Sequence, residues 1–237
     1  MFEGETKVNI DVAKGNVAED ISKVNVKKYK DVLKKNTIYV KVKRIMDVVL
    51  ATMGLIILAP VFAIIALAIK IESKGPVFFK HTRIGKNGEI IKLYKFRSMV
   101  QNAEDLIQKF TPEQMKEFKE NYKLTDDPRI TKIGNFLRKT SLDELPQLLN
   151  IIKGELSIIG PRPVIQEELE KYGDNAQKFL SVTPGLTGYW AANGRSDTTY
   201  EQRMEMELYY VDNLSMKLDI KIFFKTILSV LKREGAM

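Results

Sequence analysis

Between Val48 and Ile69 about 22 residues pass without a charge. A helix of that length can span the hydrocarbon core of a bilayer. The run is too long, too far from Met1 and too poor in cleavage-site residues to be a signal peptide. Hydropathy alone reads it as a single crossing. Two features argue against that. Pro60 stands in the middle, where it removes a backbone donor and clashes with the preceding turn. Lys41, Lys43 and Arg44 precede the run, and Lys70, Lys74 and Lys80 follow it. The preference of basic flanks for the cytoplasm then pulls both ends to one side. A helix broken at Pro60 that enters and leaves by the same face satisfies both, provided the freed backbone groups find partners.

The remaining composition narrows the function. A chain of 237 residues suits one domain with appendages. It has no Cys, so disulfides, thiolate metal sites and thiol nucleophiles are excluded. The net charge of +8 and pI near 9.4 suit anionic lipid, phosphorylated substrates or nucleic acid. No nucleic-acid motif accompanies the charge, so nucleic acid is set aside.

Residues 77–97 read as a β-hairpin. Val77-Phe78-Phe79 and Ile90–Tyr94 flank Gly85-Lys86-Asn87-Gly88, and Asn-Gly is a tight-turn signal. Lys95 and Arg97 alternate with aromatics, which suits a ribbon with one packed and one basic face; Lys86 and Lys92 read equally well as solvated. His81 is the only histidine and has no partner at metal spacing, so it reads as a surface or interface residue. Residues 100–123 read as an amphipathic helical cover, with Pro112 at a helix start.

Residues 141–147 read Ser-Leu-Asp-Glu-Leu-Pro-Gln. Asp143 and Glu144 are adjacent, so an α-helix would point them about 100° apart. Two carboxylates against Leu142, Leu145, Leu148 and Leu149 do not both ionise cheaply without a cation. Arg129, Lys132, Arg138, Lys139, Lys153 and Arg162 lie nearby in sequence. The set suggests a place where Mg²⁺ and phosphate meet. Alternatively, Ser141 is a helix N-cap with both acids in the first turn.

Further on, Gly160-Pro-Arg-Pro163 fixes the chain on both sides of Arg162. That suits an arginine held for a phosphate, or else an ordinary loop. Pro184–Trp190 and Asn193-Gly-Arg195 are turn-rich and end in another arginine. A helix follows over Tyr200–Val211. The last segment places Ile220, Phe223, Phe224, Ile227, Leu228 and Leu231 on one face, the pattern of a helix lying on an anionic membrane; packing against the core is the alternative. Residues 1–36 are polar and without periodicity, and read as weakly ordered.

Three long runs carry a family resemblance: Asp127–Arg138, Ser141–Asn150 and Gly154–Pro163. With Phe79-x-x-x-Arg83-x-Gly85 and Tyr94-Lys-Phe-Arg-Ser-Met99, they resemble the bacterial sugar transferase family, the monotopic phosphoglycosyl transferases, over roughly residues 40–235. The resemblance implies an α+β fold, mainly helical with a small β-hairpin. It implies a re-entrant helix-break-helix at Pro60 and amphipathic interfacial helices. The organisation expected is a polar extension over 1–38, the membrane helix over 39–75 and a cytoplasmic catalytic domain over 76–237. Larger family members carry spanning helices and a further domain before the catalytic region, and this sequence reads as a short form.

The resemblance also implies chemistry. A sugar 1-phosphate passes from a UDP-sugar to undecaprenyl phosphate at the cytoplasmic face of the inner membrane, and UMP leaves. Asp143 is the expected nucleophile, forming an aspartyl-phosphosugar; Glu144 holds Mg²⁺ with it or orients it. Arg162, Arg138, Arg195 and Arg97 are the expected phosphate or nucleotide contacts. The partners are the UDP-sugar, the lipid phosphate and membrane lipids, and a homo-oligomer is left open. The carboxyl-terminal part resembles transferases of hexoses, glucose or galactose. Two rival readings are a glycosyltransferase releasing UDP, weakened by the lack of a D-x-D motif, and a non-enzymatic scaffold of a polysaccharide assembly complex.

Overall fold

A computed structural model describes residues 37–121, 124–194 and 198–232. The expected polar extension lies outside the described residues, but for its last two positions.

The apolar run forms one helix, α1 (Thr37–Glu72). Pro60 lies inside this helix rather than between two helices, which corrects the expected break. Packing on both sides of the proline explains the continuity. Leu55 and Leu58 pack with Ala51 against Leu93, Leu148 and Ile151. Val61, Phe62, Ile65 and Ile69 pack against Phe96 and Leu137. The helix is also tied by polar contacts at both ends. Arg44 donates to the carbonyl oxygens of Ile151 and Ile152, at 2.5 and 2.7 Å, and Asp47 accepts from the Ile158 N–H at 2.9 Å. At the far end, Glu72 accepts from the N–H groups of Lys132 and Ile133, at 2.7 and 3.0 Å. The outward face keeps Met53, Ile56, Ile57, Ile64 and Leu67 exposed.

The hairpin is present. Strand β1 (Phe78–Ile84) pairs antiparallel with β2 (Ile90–Phe96), with Ile84 opposite Ile90. Asn87 turns the chain at φ 57°, a left-handed conformation that Asn tolerates better than most residues. The faces differ from the expected division. Ile91 and Leu93 are buried, and Lys95 follows them on the same side by the two-residue period. Lys95 thus leaves the sheet toward the interior. Asn150 locks β2 from behind, accepting from the Tyr94 N–H at 2.9 Å and donating to the Lys92 carbonyl at 2.8 Å.

Helix α2 (Pro112–Asn121) starts at the expected proline. Thr111 and Gln114 form a reciprocal capping box. Helix α3 (Lys132–Lys139) is N-capped by Thr131. A 3₁₀ turn over Leu142–Gln147 leads into α4 (Leu148–Lys153). A short parallel pair, β3 (Ser157–Ile159) and β4 (Gly185–Thr187), closes the far side of the domain. Gly160 and Gly185 meet there backbone to backbone, and a side chain on either would run into the other segment. Helices α5 (Gln166–Glu170), α6 (Ala176–Leu180) and α7 (Tyr189–Asn193) precede two longer helices, α8 (Tyr200–Asp212) and α9 (Met216–Lys232).

Helix α9 uses its apolar residues in two directions. Ile222 is buried, with Leu218 and Phe223 packed around the same cluster. Ile220, Phe224, Ile227 and Leu228 stay exposed. The core-packing reading therefore holds for part of this helix, and the rest of its apolar surface stays exposed. Asp219 ties α9 to α8 and α1, accepting from Tyr210 at 2.7 Å, Tyr39 at 2.8 Å and Lys43 at 2.7 Å.

Candidate active site

Ser141 stands at the N-cap position of a 3₁₀ helix with both acids in its first turn, but its side chain does not cap it. Ser141 adopts φ 56°, ψ 16°. A non-glycine residue in the left-handed region is uncommon, and such strain gathers at functional sites. The turn delivers Asp143 and Glu144 on a 3₁₀ helix, where neighbours diverge by about 120° instead of 100°. The two carboxylates nevertheless share a cation. Lys95 Nζ lies 2.6 Å from Glu144 Oε1 and 3.9 Å from Asp143 Oδ2.

The two acids sit in different fields. Asp143 is 8 % exposed. Burial pushes its carboxyl up to about 6, although Lys95 and Arg138 pull the other way. Glu144 also suffers from burial, but Lys95, Arg162 and Arg83 outweigh it and hold its carboxyl below the usual range. Arg138 approaches from the Asp143 side, with its Nε donating to Ser98 Oγ at 2.8 Å.

Glu144 and Lys95 form one wall of a cleft open to solvent. Arg83 of β1, Arg162, Trp190 of α7 and Glu207 of α8 line the rest, with the Gly185–Gly188 backbone. Arg162 is exposed between two buried prolines. Among the described residues no acceptor takes a proton from its guanidinium, which lies 5.9 Å from the Trp190 ring centre. Burial lowers the Arg83 guanidinium to about 10, and the nearby Arg162 adds to the effect. Glu207 is buried and its carboxyl is pushed up to about 7 by desolvation. His81 is half-buried on β1 beside Phe79, and burial lowers its imidazole to about 4. Three cations facing the cleft with one half-buried carboxylate, Glu144, and one buried, Glu207, make a surface for a polyanion.

The expected residues divide. Asp143, Glu144, Arg138 and Arg162 gather around Lys95 and the cleft. Arg97 does not, and its expected phosphate role is corrected. It is buried and donates to the Ser73 and Lys74 carbonyl oxygens, at 2.8 and 2.5 Å, closing the end of α1. The motif placed it correctly along the chain, but the strand ends at Phe96 and its side chain turns to the helix. Arg195 lies outside the described residues. Arg129, one of the nearby cations, is spent on Asp127 at 2.6 Å. Lys95, Arg83, Trp190 and Glu207 were not among the expected site residues. For Lys95 a signal existed, since it continues the apolar side Ile91, Leu93 of its strand.

Mg²⁺ commonly binds through one or two carboxylates completed by substrate phosphate and water. Asp143 and Glu144 converge on one ammonium, so they fit that donor set. Among the described residues no group of three or more acidic or histidine side chains forms a closed cage.

The family model for bacterial sugar transferases matches residues 38–233. An exopolysaccharide production protein, ExoY, of Sinorhizobium fredii is 46 % identical over 82 % of this chain and 87 % of its own. The undecaprenyl-phosphate galactose phosphotransferase of Salmonella typhimurium is 42 % identical over 82 % of this chain, but that match covers 41 % of its own length. The UDP-glucose:undecaprenyl-phosphate glucose-1-phosphate transferase of Escherichia coli is 42 % identical over 78 % of this chain and 39 % of its own. The chain belongs to the bacterial sugar transferase family.

Proposed function

We propose that this chain moves a hexose 1-phosphate, glucose or galactose, from a UDP-sugar to undecaprenyl phosphate and releases UMP, the first step of an exopolysaccharide or other glycan. The observation that carries the reading is the pair Asp143 and Glu144 around Lys95, at the edge of a cleft lined by Arg83 and Arg162. The relatives named for galactose and glucose phosphate transfer support the substrate class.

Asp143 is the nucleophile of the proposal. Glu144 is held by a direct bond from Lys95, whereas Asp143 is not, and burial makes Asp143 the more basic of the two. Its carboxylate oxygen attacks the sugar-bearing phosphorus. The bond from that phosphorus to the bridging oxygen breaks, and UMP departs with the oxygen. An oxygen of the lipid phosphate then attacks the same phosphorus and displaces Asp143. Splitting the transfer avoids bringing two anionic substrates together at once. Lys95, Arg83 and Arg162 stabilise charge on the phosphoryl oxygens. Mg²⁺ held by Asp143 and Glu144 would add further charge neutralisation. Glu144 as nucleophile is the second reading, favoured by its place on the cleft wall.

The proposed seat is monotopic, on the cytoplasmic face of the cell membrane. A straight helix of 36 residues is about 54 Å long, well beyond the hydrocarbon thickness of about 30 Å. Yet residues at both of its ends bond to the same domain, from Tyr39 and Arg44 to Glu72. That arrangement supports both ends on one side, with the exposed apolar face of α1 in lipid.

Purified chain incubated with a panel of UDP-sugars, undecaprenyl phosphate and Mg²⁺ tests the reading. UMP release dependent on the lipid is expected. UDP would mean a glycosyltransferase, and no nucleotide release would favour a scaffold.

A further inference from the structure

We propose that Trp190 and Glu207 are positioning residues that act through Arg162, holding its guanidinium toward phosphate in the cleft. The proposal rests on the reading of the cleft as a nucleotide-sugar site. Arg162 has a fixed backbone, because Pro161 and Pro163 are buried on either side of it. Its long side chain is exposed and has no acceptor among the described residues. One contact holds its backbone and another lies against its guanidinium. The Glu207 Oε1 accepts the Arg162 backbone N–H at 3.1 Å. The Trp190 ring stands beneath the guanidinium, and the indole N–H is itself fixed by Thr198 Oγ1 at 2.8 Å.

The support behind these contacts is more than a solvated loop arginine requires. Glu207 is 1 % exposed and its Oε2 has no partner. A buried carboxylate is costly unless charge compensates it. Arg203 offsets part of that cost through its charge alone, and burial still leaves the Glu207 carboxyl raised; Arg203 lies 4.8 Å from the Trp190 ring and bonds Glu168 at 3.1 Å. Arg162 and Arg203 both lie against the Trp190 ring, and the Glu207 carboxyl attracts both. Among the described residues the Arg162 guanidinium thus has no acceptor and lies over the Trp190 ring at the cleft, open to an anion.

The test measures UDP affinity by calorimetry on the full chain in detergent. Trp190→Leu removes the platform and should weaken UDP about tenfold, while Trp190→Phe keeps most of the affinity. Glu207→Leu should weaken UDP too, and Glu207→Gln, which keeps an oxygen for the Arg162 N–H, should retain most of it. In an Arg162→Ala background neither Trp190→Leu nor Glu207→Leu should cause a further loss, because residues acting through one partner are not additive. Trp190 is the only tryptophan, so its emission gives a second readout that does not need the leucine variants to fold. Saturating UDP should change it in the native chain and not in Arg162→Ala. Equal losses with and without Arg162, or an emission change that survives Arg162→Ala, would overturn the inference alone. A native chain that binds no UDP overturns the nucleotide-sugar reading and this inference with it.

Discussion

Lys95 and Glu144 meet at 2.6 Å at the cleft wall, and the same ammonium stands 3.9 Å from Asp143. One cation therefore pulls on both carboxylates, against the burial that raises each of them. With Arg162 and Arg83 it holds the Glu144 carboxyl below the usual range, while burial keeps Asp143 raised to about 6.

Lys95→Met should lower kcat/KM by about 10²–10³, the scale of losing one preorganised charge at a transferring group. Its pH profile is the sharper readout. A nucleophilic Asp143 must be deprotonated, so the native acid limb should fall as pH drops through about 6. Lys95 lowers the Asp143 pKa, so its removal should move that limb to higher pH. An acid limb unmoved in Lys95→Met would separate Asp143 titration from catalysis.

Glu72→Ala should destabilise the fold by about 1–2 kcal/mol, because it strips two N–H groups at the start of α3 of their acceptor. Thermal unfolding in detergent measures this. The loss should exceed that of Glu113→Ala, an exposed acid at the start of α2, by a clear margin.

Single cysteines at positions 25 and 87 can be introduced cleanly, since the chain has none of its own. In intact cells both should resist a membrane-impermeant maleimide, and both should react once the membrane is opened. Labelling of position 25 alone from outside would establish a crossing helix. Pro60→Ala should leave both sites protected, because contacts on each side of the proline, and not the proline itself, hold α1 to the domain.

Much of this arrangement was legible in the sequence. The hairpin followed from Asn87-Gly88 between apolar runs, and the acidic pair from two carboxylates among leucines. Strands of three residues, as in β3 and β4, are too short to show a period, so the parallel pair was not foreseen. The break expected at Pro60 came from local chemistry, and tertiary packing overrode it. Arg97 shows the opposite limit: its position was right, but one residue past a strand end decides where a side chain points. Lys95 stands between two aromatic residues, a local pattern that hides the buried side it shares with Ile91 and Leu93.

The nucleophile can be tested directly by intact-protein mass spectrometry, with the chain held with UDP-sugar and Mg²⁺ and no lipid acceptor. A mass increase matching one sugar phosphate, mapped to Asp143, with matching UMP release and no adduct in Asp143→Asn, is the expected result. An adduct mapped to Glu144 would reassign the nucleophile. UMP release that requires both substrates together, with no adduct on either carboxylate, would contradict the covalent mechanism.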